Sequence, residues 1–221
     1  MPIGKITALR VQANDSQRVN VFIADEYAIG ISLSTLAREK LFVGKEVDDA
    51  GWERLAATER HDKTLQAAMR LLEQRPRSVA ELRQRLQRKE HEPQAIDAAI
   101  ERLGELGMVD DTAFSRYWVD NRQAFRPRGT MAIRNELQRK GVKRDVIDAV
   151  LNDPERPAID EHEQALELAR TALHKYATVP DRASFQRKLG GFLMRRGYTY
   201  DTIGPIIDML WKELSASGWL G

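Results

Sequence analysis

The chain reads LQRKG at residues 137–141, LQRKE at 86–90 and LMRRG at 193–197. A leucine, a spacer and two adjacent cations therefore recur three times. Laying the flanking segments over one another extends the match without gaps. Leu82, Ile133 and Leu189 coincide, as do Leu86, Leu137 and Leu193. Further on, Ile96 falls with Ile147 and Ile203, and Ile100 with Leu151 and Ile207. The apolar spacing is helical, so the repeat of roughly fifty residues predicts about three helices per copy. The matched positions are the cores of three small bundles. Three such modules in tandem predict an elongated, curved rod.

Start and stop signals support this reading. Ser78 precedes Glu81 by the capping-box spacing, and Pro93 stands where a first-turn proline belongs. Asp110 or Asp111 can cap the helix that carries Phe114, Tyr117, Trp118 and Phe125. Gly141 is a helix-stop glycine. The run DPERP at residues 153–157 is a break, and Gly204-Pro205 is expected to bend or delay the first turn of the last helix.

The first 48 residues are of another kind. KITALRVQ and RVNVFIAD alternate apolar and polar side chains, with Ile6, Val19, Val21 and Ile23 as β-branched members. NDSQ and ADE supply turns, predicting two or three antiparallel strands and then a short helix capped near Ser34. A sheet this small needs packing against the helical segments downstream of it.

Composition narrows the class. The 221 residues are 31% charged and 42% hydrophobic, with a formal net charge of +2 and no cysteine. Enough apolar material is present for folded cores. The lack of cysteine removes disulfides, thiolate metal sites and cysteine nucleophiles, and fits a reducing compartment. No signal-peptide pattern opens the chain, and no apolar run approaches the ~20 residues of a bilayer span. A soluble cytoplasmic protein is expected.

With so small a net charge, a basic surface has to arise from distribution. Seven cations and one acid, Glu136, lie between Arg126 and Arg144. Seven cations accompany Glu73 and Glu81 between Arg70 and Lys89, and five cations with no acid lie between Arg182 and Arg196. Arg88-Lys89, Arg139-Lys140 and Arg195-Arg196 each fall in the last turn of a helix, where the helix dipole favours cations by ~0.3–1 kcal/mol apiece. Helix ending and contact with a partner both fit these pairs. Dipole complementarity does not account for Arg126, Arg128, Lys143 and Arg144, which flank the helix, or for Arg83 and Arg134, which match at mid-helix. Arg134 and Arg139 are about 140° apart on a wheel, so the cations surround the apolar seam. A repeated, distributed basic surface suits a polyanion better than a single base.

Catalytic patterns are missing. There is no phosphate loop, no GxGxxG and no nucleophile elbow. His61, His91, His162 and His174 are not at ligand spacing with carboxylates, and Asp110-Asp111 reads as helix capping. Burial in a core is the expected place of Trp118. The sequence points away from an enzyme, and no cofactor or metal is expected.

Residues 103–122, LGELGMVDDTAFSRYWVDNR, followed by RGTMAIRNELQRKGV at 128–142, resemble the RecX family of recombinase regulators. The family pattern falls on Gly107, Met108, Val109, Asp110, Asp111, Ala113, Phe114, Tyr117, Arg122, Gly129, Glu136, Leu137, Lys140 and Gly141. The likeness spans residues 60–214, and QRVNVFIADEY resembles the start of the family's longer members. Two departures stand out. Glu90 replaces the stop glycine of the first repeat, and Gly190-Gly191 weakens the second helix of the third.

The resemblance implies a negative regulator of the RecA recombinase, tied to DNA repair and the SOS response. It would lie in the helical groove of the RecA–single-stranded DNA filament and suppress ATP hydrolysis and strand exchange. The expected fold is mainly α, with three tandem three-helix repeats and a small N-terminal antiparallel β element. Expected segments are 1–48 for the β element, then 49–109, 110–153 and 158–216 for the repeats. Charge assigns the contact to Arg83, Arg88, Lys89, Arg126, Arg128, Arg134, Arg139, Lys140, Lys143, Arg144, Arg195 and Arg196. A monomer is expected, with RecA and single-stranded DNA as partners. The alternatives are a general DNA-binding protein of helix-turn-helix-like modules, or a helical scaffold that binds only proteins. The acidic third helices, QAIDAAIERLGEL and DVIDAVLND, argue against the first of these.

Overall fold

Alternation in the first 48 residues produces four strands: β1 (Gly4–Gln12), β2 (Asp15–Ile23), β3 (Glu26–Ser32) and the two-residue β4 (Glu46–Val47). A computed structural model describes residues 2–155, 159–176, 179 and 181–216. The strands form one antiparallel sheet in the order β3-β2-β1-β4. Val19 pairs with Ile31 and Ile6 with Ile23, so the β-branched residues read from the sequence share one buried face. Ala24 and Asp25 take positive φ in the turn between β2 and β3.

Helix α1 (Leu33–Arg38) starts two residues earlier than Ser34 suggested. Its cap is Ser32, the last residue of β3, whose hydroxyl accepts the Thr35 N–H at 3.0 Å. Next comes α2 (Asp49–Gln74), 26 residues long and capped by Asp48. Its first half covers the sheet through Trp52 and Leu55, and its second half gives Ala68 and Leu71 to the core of the first repeat. One helix thus belongs to both the β element and the first bundle. Polar anchors fix it there. Glu59 accepts from Arg18 and from the Ser32 N–H, while Asp62 accepts from Thr35 at 2.6 Å and Arg38 at 2.9 Å.

The chain divides into two compact units, Met1–Val109 and Asp110–Gly221. In the first, α3 (Val79–Gln87) and α4 (Pro93–Glu105) complete the bundle with α2. Ser78 caps α3 by accepting the Glu81 N–H, and Pro93 opens α4, as their spacing predicts. In the second unit, α5 (Asp111–Phe125), α6 (Thr130–Arg139) and α7 (Arg144–Leu151) form the second repeat. Asp110 caps α5 with bonds from Thr112 and Ala113 N–H. The DPERP break includes Arg156 and Pro157, which lie outside the described residues, as does residue 158 at the expected start of the last segment.

The third repeat comprises α8 (Glu161–Ala172), α9 (Arg182–Phe185), a π turn (Gln186–Gly190), α10 (Gly191–Arg195) and α11 (Tyr200–Ala216). Its second helix is therefore continued through a π turn at the Gly190-Gly191 pair, consistent with the weakening read from the sequence. Helix α11 begins at Tyr200, ahead of Gly204-Pro205, so the expected delay of its first turn does not occur. Pro205 lies close enough to the helix start that its missing N–H removes a single early backbone bond.

The aligned apolar positions occupy equivalent places. Leu82, Ile133, Leu189, Leu86, Leu137, Leu193, Ile96, Ile147 and Ile203 are all buried. Within the second unit, repeats two and three meet at a pair of glycines. The Gly129 N–H donates to the Arg196 carbonyl at 3.1 Å, and a Cβ on Gly129 would sit 2.2 Å from the Gly197 carbonyl oxygen. Glu161 reaches across from α8 to accept the Thr130 N–H and hydroxyl, serving as the cap that Gly129 cannot provide. Beside this junction burial, then the charge of Glu161, pushes the Tyr198 phenol up to about 12, with Arg196 opposing.

Candidate functional site

The three recurrent motifs end their helices in the same way. His91, Val142 and Tyr198 donate backbone N–H groups to the carbonyls of Leu86, Leu137 and Leu193 at 3.3, 3.1 and 3.3 Å. The preceding residues, Glu90, Gly141 and Gly197, all have positive φ, at 61°, 77° and 91°. These are Schellman-type closures, and Glu90 adopts the glycine conformation despite its side chain. A fourth such closure, at Gly107 with φ 66°, ends α4.

Once those helix ends are fixed, the cations separate into two groups. In the first, the charge is engaged inside the molecule. Arg83 pairs with Asp97 and Arg134 with Asp148, the same bridge from second to third helix in two repeats. Arg144, highly exposed, lies 3.7 Å from Asp148. Glu136 gathers the Trp118 indole N–H at 2.8 Å and Arg122 at 2.7 Å, while Arg128 approaches it at 3.4 Å without hydrogen-bond alignment. Lys140 sits 4.1 Å from the centre of the Trp118 ring, over which Arg122 also lies at 4.3 Å. Arg196 lies 5.3 Å from the Phe192 ring centre. Trp118 packs against the second core but stays half-buried, its ring held under two cations.

In the second group the charged head is left to solvent. Arg88, Lys89, Arg126, Lys143 and Arg195 are exposed and have no ion pair among the described residues. Arg139 is exposed as well, and among the described residues it bonds only the Asn135 carbonyl one turn back. Three of these six, Arg126, Arg139 and Lys143, come from the end of α5, the end of α6 and the start of α7 in the second repeat.

Most of the remaining motif residues occupy packing, capping and turn positions. Phe114 and Leu137 are buried, Asp110 caps α5, Gly107 and Gly141 stop helices, and Gly129 makes the close junction. Asp111 opens α5, and Tyr117 is 43% exposed. Sequence reasoning missed two exposed apolar side chains of the second repeat. Phe125, grouped with the aromatic face of α5, is 77% exposed beside Arg126, and Met131 is 56% exposed. The signal available was position: Phe125 closes its helix and is followed by Arg-Pro-Arg. Among the described residues no three His, Asp or Glu side chains gather as a metal site, and no helix is long and apolar enough to cross a membrane.

The fold is thus a small antiparallel sheet followed by repeated three-helix modules whose helix ends carry exposed cations. Models of the RecX N-terminal domain and of its first, second and third three-helix domains match residues 4–48, 65–103, 110–151 and 159–207. A regulatory protein RecX from Clostridium botulinum is 32% identical over 206 residues, covering 93% of this chain and 95% of that one. Another from Clostridium tetani is 28% identical over 212 residues, covering 94% and 95%. The chain belongs to the RecX family of regulatory proteins. A crystal structure of regulatory protein RecX, at 22% identity, superposes with a TM-score of 0.75 over 93% of this chain and 99% of that one, and shows the same fold.

Proposed function

We propose that the protein is a negative regulator of homologous recombination that binds the RecA–single-stranded DNA filament in its helical groove. Bound there, it inhibits ATP hydrolysis and strand exchange. Membership of the RecX family, carried by the four matched domains, is the observation on which this rests. The solvent-facing cations support it: Arg88, Arg139 and Arg195 recur at one position of the three repeats, and Lys89, Arg126 and Lys143 add to them in the first and second, so each module offers a weak electrostatic contact. Several weak contacts on one chain raise avidity without any strong site. Arg83, Arg128, Arg134, Lys140, Arg144 and Arg196 shape this surface from ion pairs or ring contacts. The working units are 1–48, 49–109, 110–153 and 158–216, acting as a cytoplasmic monomer without catalysis of its own.

The test is ATP hydrolysis by RecA on single-stranded DNA with substoichiometric amounts of the folded protein. Inhibition well below one molecule per recombinase subunit is expected, and an unchanged rate refutes the proposal. Repeating the assay without residues 1–48 is informative only with a check of folding, since α2 loses the partner of its first half.

A further inference from the structure

The first two repeats place an arginine of the second helix against an aspartate of the third, Arg83 with Asp97 and Arg134 with Asp148. At the matching positions the third repeat has Gly190 and Gly204, so both partners are lost together. The backbone does not require either glycine, because neither has positive φ. Packing does not require them either. A Cβ on Gly190 would make an ordinary 3.7 Å contact with Ile203, and one on Gly204 would meet nothing within 4 Å. Glycine inside a helix is nonetheless unfavourable. The π turn that ends at Gly190 marks the same place.

The missing side chains leave an open groove of about 480 Å³ within the third repeat. Ile203 and Ile207 line its floor, and Met194 and Tyr200, 54% and 65% exposed, form its walls. Arg187 stands in the lining, and Lys188 and Arg195 are exposed on the same helical segment, which carries no acid from Arg182 to Arg196. Asp208, the acid in the lining, is already paired with Arg182.

We infer that this groove is a docking site for an acidic amphipathic segment of a partner protein. The segment seats apolar side chains on Ile203, Ile207 and Met194 and sets carboxylates against Arg187, Lys188 and Arg195. In the lining Gln186 faces the Tyr200 hydroxyl at 3.5 Å and Arg182 is paired with Asp208. What the groove offers a partner is thus an aliphatic floor beside basic side chains, which suits a segment carrying both apolar and acidic residues. A methionine wall adapts to aliphatic anchors, and helix-in-groove recognition uses this combination of apolar floor and charged rim.

The test is selection of a random displayed peptide library on the full-length protein, followed by affinities of the enriched peptides. Peptides with apolar anchors flanked by Asp or Glu are expected. The double variant G190R/G204D rebuilds the bridge of the other repeats and fills the groove, so affinity should fall at least ~10-fold with the fold retained by circular dichroism. R187E leaves the groove open and should weaken the same peptides by a similar factor, which keeps the test decisive should the double variant misfold. No enrichment, enrichment of basic or neutral peptides, or affinities unmoved by R187E overturns the inference. So does an oligo(dT) affinity that G190R/G204D lowers while peptide binding stays intact. None of these outcomes depends on recombinase inhibition.

Discussion

Replacing Arg126, Arg139 and Lys143 together by alanine separates contact from scaffolding in the second repeat. All three are exposed, and none is in an ion pair among the described residues, so their loss removes charge from the surface while leaving the core of Ile133, Leu137 and Ile147 untouched. If each neutralises one phosphate of single-stranded DNA, the slope of log affinity against log salt becomes shallower by about 2. At 0.1 M salt that corresponds to roughly a hundredfold weaker binding. The companion variant, Arg83→Ala with Arg134→Ala, removes cations held by Asp97 and Asp148. Those bridges are 30–62% exposed at each side chain, so each contributes no more than about 1 kcal/mol to stability. The companion should leave the salt slope unchanged and lower the urea midpoint slightly. Fluorescence anisotropy of labelled oligo(dT) across a salt series, with urea melts in parallel, reads both quantities. An unchanged slope in the triple variant, or an equal change in the companion, refutes the division into free and engaged cations.

Glu90→Gly should raise stability by about 1 kcal/mol in thermal or urea unfolding. It relieves a left-handed side-chain-bearing residue of φ 61°, partly offset by the greater freedom of glycine in the unfolded chain. Gly129→Ala should cost about 3 kcal/mol or more, because its Cβ would lie 2.2 Å from the Gly197 carbonyl oxygen and the junction of repeats two and three has to move. A melting temperature within error of the parent would contradict the close approach. Asp62→Asn should lower stability by about 2 kcal/mol at neutral pH by weakening bonds from Thr35, Arg38 and Ser32. Burial opposes the charge of Asp62, yet those bonds and the charge of Arg38 together hold its carboxyl below the usual range. A depressed native pKa stabilises the fold above the unfolded value of ~3.9 and ceases to as pH falls through the native one. Parent and variant should therefore differ constantly above about pH 4 and converge below it in pH-dependent urea titrations.

The apolar register was legible because periodicity in a helix maps directly onto one face, and every copy of Leu82, Leu86 and Ile96 is buried. Caps at Ser78 and Asp110 and stops at Gly141 and Gly197 were legible for the same local reason: each bonds to backbone within a few residues. The Ser32 cap was not, because the last residue of a strand gave no helical signal. Among the cations, composition could count charge but not assign it. Arg134 and Lys143 look alike in the sequence, yet one meets Asp148 fourteen residues away and the other faces water.

By itself, then, the sequence determined three bundles, a small sheet, the ends of most helices and the presence of basic segments, since those depend on contacts within one or two turns. Only the tertiary structure decided which cations remain available, that α2 serves both the sheet and the first bundle, and that Gly129 and Gly197 touch. It also decided that Gly190 and Gly204 open a groove where two other repeats close a bridge. These depend on which side chains meet across helices, and a pairwise distance between residues far apart in the chain is set by packing, not by local pattern.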